Sequence, residues 1–184
     1  MSEKKHITII APHPDDELLG CGGTIIKAIK LGLQCSVIYL TSGDHKQKAR
    51  EKKAEKVCNF LNISNSYFLN LEQQGLKTSY ENIIKLKNLL VEIKPYFIFT
   101  NHENDGDKEH KIAYKIVSES FWRFNLKIEP KYKPKGLLLY EVHKPMQSHN
   151  LVENITEEIN KKMQTLSFYK SQINKKNRID LAIK

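Results

Sequence analysis

The chain is poor in the residues that staple small secreted folds. Its 184 residues include three cysteines, Cys21, Cys35 and Cys58, odd in number, scattered and never in CxxC spacing. That excludes a disulfide framework and a cysteine zinc knuckle, and it suits a reducing compartment. No apolar run approaches the roughly 20 residues of a membrane helix. The start, Met1-Ser2-Glu3-Lys4-Lys5, leads into a strand pattern without the apolar stretch of a signal peptide, so a cytoplasmic protein is expected. Internal repeats, low-complexity tracts and linker-like stretches are missing as well. The length then predicts one domain over residues 1–184 with a real core.

Acidic residues are also in deficit, 21 against 30 Lys and Arg, for a formal charge of +9. The excess lysines are spread over nearly every helical pattern and form no aromatic-interleaved stripe, which argues against nucleic acid as a partner. They read as solvated surface, with some capacity to attract an anionic substrate.

What the chain does have is alternation. Short apolar runs rich in β-branched and aromatic residues fall at 7–11, 35–40, 66–69, 96–100 and 136–142, the pattern of strands buried on both faces. Helical periodicity separates them at 23–31, 46–61, and from Thr78-Ser79-Tyr80-Glu81, which opens in capping-box fashion, to Pro95. Further helices are expected at 109–124 and from Thr156, where Ile159, Met163, Leu166 and Ile173 share a face. The prediction is an α/β fold, a Rossmann-like three-layer sandwich with a mainly parallel sheet of about five strands.

Two predicted strand ends carry chemistry. The first delivers His13-Pro14-Asp15-Asp16-Glu17, one imidazole and three carboxylates in five residues. Open parallel sheets bind ligands at this edge, and such crowding calls for a divalent cation, with Zn²⁺ suited to mixed His and Asp donors. A solvated helix cap would not require the His-Pro. Gly20, Gly22 and Gly23 follow, but the third glycine of GxGxxG is absent, position 25 being Ile, and the carboxylates would repel a pyrophosphate. These glycines instead let backbone approach a ligand, or pack the helix on the sheet. The second strand end delivers Asn101-His102-Glu103-Asn104-Asp105-Gly106-Asp107-Lys108-Glu109-His110, where His110 is the best third metal ligand.

The ordered set Ala11-Pro12-His13-Pro14-Asp15-Asp16-Glu17, Leu40-Thr41-Ser42-Gly43, Arg50, Asp105-Gly106-Asp107-Lys108-Glu109-His110 and the closing run from Asn154-Ile155-Thr156 to Ser171-Gln172 resembles the LmbE/PIG-L family of zinc-dependent N-deacetylases. The resemblance implies one catalytic zinc on His13, Asp16 and His110, with Asp15 as general base. It implies an N-acetylated sugar or sugar conjugate as the small-molecule substrate, met by Arg50. Glu17 and His102, one at each strand end, are further candidate substrate contacts. The family usually has a histidine where Asp107 stands, and Lys53 replaces a common glutamate. Asp107 must then stay protonated, another histidine (His143 or His102) must substitute, or zinc and Asp15 must suffice. The chain is shorter than many relatives, which points to a compact cleft or to a homo-oligomer that completes it. A catalytically impaired carbohydrate- or metabolite-binding member of the same fold is the alternative.

Overall fold

A computed structural model describes residues 5–42 and 47–169. Five parallel strands, β1 (His6–Ala11), β2 (Gln34–Tyr39), β3 (Asn65–Phe68), β4 (Phe97–Asn101) and β5 (Gly136–Tyr140), form one sheet in the order β3-β2-β1-β4-β5. The five expected strands are all present, each shifted by a residue or two at its ends. On one face lie α1 (Asp16–Lys30), α2 (Gln47–Leu61) and α5 (Ile159–Leu166), and on the other α3 (Tyr80–Ile93) and α4 (Lys108–Lys127). Strand alternation divides the core accordingly: Ile7, Ile9 and Ala11 of β1 pack with Leu18, Ile25 and Val57, while Ile10 packs with Leu86, Ile98 and Ile116. None of the described helices is long and apolar enough to cross a membrane.

The chain leaves β1 toward β2 and β3 on one side and toward β4 and β5 on the other. The two directions diverge between β1 and β4, and a crevice opens there at the strands' carboxyl ends. Register places Ile10 beside Thr100, so the residues just past Ala11 and Asn101 face one another on the same edge.

Three expectations about local structure need correction. Ser79, not Thr78, caps α3, its hydroxyl accepting from the Asn82 N–H at 3.2 Å. The first helix starts at Asp16, seven residues before position 23, so the glycines lie inside it rather than ahead of it. Gly20 packs the helix against the end of β5, as expected, while Gly22 and Gly23 make room for a later segment of the chain. A Cβ on Gly23 would sit 2.5 Å from Ile155 Cγ2, and one on Gly22 3.1 Å from Lys162 Cγ, so bare backbone lets residues 155–162 lie against α1. At Gly20 a Cβ would meet the Tyr140 ring and the Glu141 carbonyl oxygen, the latter at 2.8 Å, and that oxygen is backbone that cannot swing away. Gly20→Ala is therefore expected to destabilise by about 1–3 kcal/mol through overpacking, read as a lowered urea midpoint at unchanged m. Finally, the last helix starts at Ile159 rather than Thr156; Ile173 and the Ser171-Gln172 pair lie outside the described residues, as does Gly43.

Candidate metal centre

The loop after β1 is fixed from below. Pro12 O accepts hydrogen bonds from both the backbone N–H (3.0 Å) and the hydroxyl (3.1 Å) of Thr41, and Tyr140 OH donates to Ile10 O at 2.9 Å. The chain then turns abruptly at Asp15, whose φ is 124°, and α1 begins. Across the crevice, Asn101 Nδ2 donates to the carbonyls of His102 (3.1 Å) and His110 (2.8 Å), tying the end of β4 to the first turn of α4.

These anchors bring three donors together from positions up to 97 residues apart. Asp16 Oδ2 lies 3.1 Å from His13 Nδ1 and 3.1 Å from His110 Nε2, and the two nitrogens are 3.3 Å apart. Two donors bound at about 2.1 Å in a tetrahedron stand about 3.4 Å from one another, so this triangle fits one face of a zinc coordination shell. Asp16 and His110 are fully buried, and Asp16 Oδ1 is buried without a hydrogen bond. A carboxylate is not left half-satisfied in such a place without reason, and a cation on the open side supplies one. The three ligands expected from the sequence are thus brought together with donor atoms in reach of a single ion.

The outer nitrogen of each ring meets a carboxylate. Glu109 Oε2 accepts from His13 Nε2 at 2.9 Å, and Glu109 Oε1 accepts from the Gln74 N–H at 2.5 Å. Asp105 Oδ1 lies 3.3 Å from His110 Nδ1, a charge contact whose alignment falls short of a good hydrogen bond. Burial works against charge on either ring. The neighbouring carboxylates outweigh it and raise His13 to about 9 and His110 to about 10. Burial likewise opposes ionisation of Asp16, yet His110 and His13 hold its carboxyl well below the usual range. For Asp105 burial again favours the neutral acid, and His110 overrides it and pulls the carboxyl down to about 2.

Asp105 and Glu109 are given no role by the sequence patterns, although both stand in the second cluster. Outer carboxylates of this kind fix the tautomer and orientation of ligating histidines. Glu109→Gln should weaken metal affinity about 10- to 100-fold, measured by competition with a chromophoric chelator, while leaving the melting temperature of the metal-stripped protein within a few degrees.

The remaining expectations divide. Asp107 does not stay protonated. Burial raises its pKa, but the Glu109 N–H donating to Oδ1 at 2.7 Å and the nearby histidines bring it below the ordinary value. It is the N-cap of α4, a carboxylate that accepts and cannot donate to an oxyanion. His143 is close by: its N–H donates to Asp105 Oδ2 at 3.1 Å and its ring stacks on His110 with centroids 4.7 Å apart. His102 is buried, and its Nε2 donates to Lys144 O at 2.7 Å, which makes it a brace between the β4 and β5 loops rather than a group facing a cleft. Glu17 is turned inward. It is fully buried, accepts from Asp15 N–H (2.9 Å) and Tyr169 OH (3.0 Å), and has its pKa pushed up to about 8, mainly by burial. A substrate outside cannot touch it. Arg50 stands half-buried in the first turn of α2, beyond the 43–46 stretch that the described residues leave out.

A doubly wound parallel sheet with a His-Asp-His triangle at its switch point defines a Rossmann-like α/β protein with a group of donors that could hold a metal ion. The family profile described as PIG-L, GlcNAc-PI de-N-acetylase, matches residues 8–121, and the chain belongs to that family. It is 26% identical to the conserved protein TT1542 of Thermus thermophilus, with a TM-score of 0.80 over 90% of this chain and 78% of that one. The fold is also that of N,N'-diacetylchitobiose deacetylase from Pyrococcus horikoshii, at TM-score 0.78 and 24% identity over 92% and 71% of the two chains. An uncharacterized deacetylase of Escherichia coli K12, YaiS, is 23% identical over 61% of this chain and 66% of its own length. The chain covers less than two thirds of the curated relatives it matches.

Proposed function

We propose that this chain is a zinc-dependent hydrolase that removes an acetyl group from an N-acetylated sugar or sugar conjugate. The observation that carries the proposal is the triangle of His13 Nδ1, Asp16 Oδ2 and His110 Nε2, with sides of 3.1, 3.1 and 3.3 Å. Three protein donors are the mark of a catalytic rather than a structural zinc, which keeps a position open. When bound, such an ion lowers the pKa of water and polarises an amide carbonyl. The substrate class is supported by the family's description and by the diacetylchitobiose deacetylase that shares the fold.

The chain's own residues then have separate tasks. Asp16, His13 and His110 hold the ion, and Glu109 and Asp105 hold the two rings. Asp15, nearly buried and next to the ligand Asp16, takes the proton from the attacking water and returns it to the leaving amine. His143, beside His110 and itself partly exposed, takes the donor role that ionised Asp107 cannot fill. Arg50 is the contact for substrate hydroxyl or anionic groups. The products are acetate and a free amine.

The test is metal analysis of the purified protein together with a free-amine assay on a panel of N-acetylglucosamine conjugates. About one zinc per chain and chelator-sensitive acetate release are expected. Metal at full occupancy without release from any panel member would instead describe a binding protein built on the same site.

A further inference from the structure

The inward turn of Glu17 has a counterpart in the backbone next to it. Asp15 has φ 124° and ψ −28°, the largest φ of any non-glycine among the described residues. Asn62, Asn70, Gln74 and Lys94 also have positive φ, but at 50–62°, inside the small left-handed well that L residues can occupy. Asp15 lies outside that well, in a region whose occupation costs about 1–3 kcal/mol and persists where the surroundings enforce it.

Three hydrogen bonds enforce it here. The Asp15 carbonyl accepts from the N–H groups of Leu18 (3.1 Å) and Leu19 (3.0 Å), which is ordinary for the start of a helix. The Asp15 N–H is the unusual one, since it points inward to Glu17 Oε2 at 2.9 Å. Glu17 Oε1 in turn accepts from Tyr169 OH at 3.0 Å. Glu17 and Tyr169 are both fully buried, so no water competes for these bonds, and both oxygens of Glu17 are committed. Tyr169 comes from the turn that follows α5, 152 residues further along the chain, and packs in the same core as Tyr39 and Leu166.

We propose that Glu17 and Tyr169 are positioning residues for Asp15: a strut from the end of the chain that grips the Asp15 peptide and holds its side chain in the direction the reaction needs. The proposal rests on the assignment of Asp15 as proton carrier. Its physical logic is that without the phenol, Glu17 keeps a buried oxygen without a partner and can rotate out of reach of the Asp15 N–H. The strained peptide then relaxes toward negative φ. Because φ sets where Cβ points, that relaxation swings the carboxyl group away, and misplacement by about 1 Å can cost 100-fold in rate. His13 is held by Glu109 and follows Pro12, which Thr41 anchors, and Asp16 is held by His110, so both stay in place.

Tyr169→Phe removes one oxygen from a buried ring and keeps its volume. Its kcat should fall about ten- to a hundredfold with KM and zinc content unchanged. Glu17→Ala should match or exceed that loss, whereas Glu17→Gln should recover most of it. The glutamine oxygen can accept from the Asp15 N–H, and its amide nitrogen can donate to the Tyr169 oxygen. In the background of Asp15→Asn, Tyr169→Phe should cost less than about twofold, because the group being aimed is already gone. A merely stabilising tyrosine would give the same cost in both backgrounds, and that result would overturn the proposal.

A second readout needs no turnover. The Asp15 amide proton, bonded to the buried Glu17 carboxyl oxygen, should be shifted downfield and protected from exchange in the wild type, and should lose both properties in Tyr169→Phe and Glu17→Ala. An unmoved Asp15 amide in those variants refutes the strut even where rates fall. A wild type that hydrolyses no substrate yet shows these amide changes leaves the strut standing and removes only the deacetylase reading.

Discussion

Asp15→Asn is expected to bind zinc as tightly as the wild type and to lose about 100- to 10,000-fold in kcat, the range supplied by a positioned acid–base group. The substitution is close to isosteric and deletes only the ability to accept a proton. Asparagine also tolerates positive φ better than most residues, so the 124° turn and the Asp15 N–H bond to Glu17 survive. Metal binding should be untouched because Asp15 is not a corner of the His13, Asp16, His110 triangle. The folded state should not suffer either, since Asp15 is 4% exposed and a neutral amide is easier to bury there than a carboxylate. A hundredfold loss corresponds to about 2.7 kcal/mol of transition-state stabilisation. Turnover within threefold of the wild type at full zinc content would remove Asp15 from the mechanism and leave the proton to some other group.

The fold was legible because its signals are local. Five short apolar runs, each flanked by helical periodicity, can be read as buried parallel strands without any knowledge of their neighbours. The candidate metal ligands were legible in part for a related reason: His13 and the carboxylates lie in one turn and His110 lies in the first turn of the helix after another strand, while the choice of Asp16 came from the family resemblance. The pairings that complete the site were not, because they join distant segments. Glu109 meets His13 across 96 residues, and the 2.9 Å contact is fixed by a sheet register that no sequence window contains. Its position next to His110 was the available signal, since a ligating histidine usually needs a carboxylate for its second nitrogen.

Helix geometry explains why Glu17 turns inward and why Asp107 is an ionised N-cap. With the first helix starting at Asp16, successive side chains are rotated by about 100°, so Asp16 and Glu17 cannot both face the crevice. A start at position 23 would have left Glu17 in a loop, where it looked like a substrate contact. Gly20, Gly22 and Gly23 hid the true start, because glycine is costly inside a helix and the neighbours that reward it, Tyr140, Ile155 and Lys162, come from far along the chain. Asp107 precedes its helix by one residue, where a short carboxylate is favoured as an N-cap whatever the chemistry nearby. The family's histidine drew attention to that position as one of three open alternatives, and its capping bond to the Glu109 N–H is what the fold adds.

The second large effect should appear when metal is removed and restored. Burial opposes charge on both imidazoles, yet Asp16 with Glu109 lifts His13 to about 9, and Asp16 with Asp105 lifts His110 to about 10, so at about pH 7.5 both rings of the stripped protein carry protons. A metal requires them neutral, and uptake should expel about two protons per ion, where two rings of ordinary pKa would release about 0.2 together. Affinity should then rise about a hundredfold per pH unit from about pH 7 toward 9. Stability moves the other way in the stripped protein. Because the folded pKa values are raised, the stabilisation is complete below about pH 6.5 and is lost as pH climbs through about 9 to 10. The attraction to Asp16 is the same interaction seen from its partner's side and counts once. Melting temperatures of stripped and loaded protein should therefore diverge between about pH 7 and 10, the first falling while the second is held up by tighter binding. Calorimetry in buffers of different ionisation enthalpy reads the proton count directly. A release near zero at about pH 7.5 would mean that His13 and His110 are already neutral in the stripped protein or that the ion sits elsewhere, and a His110→Ala variant that keeps its metal would select the second.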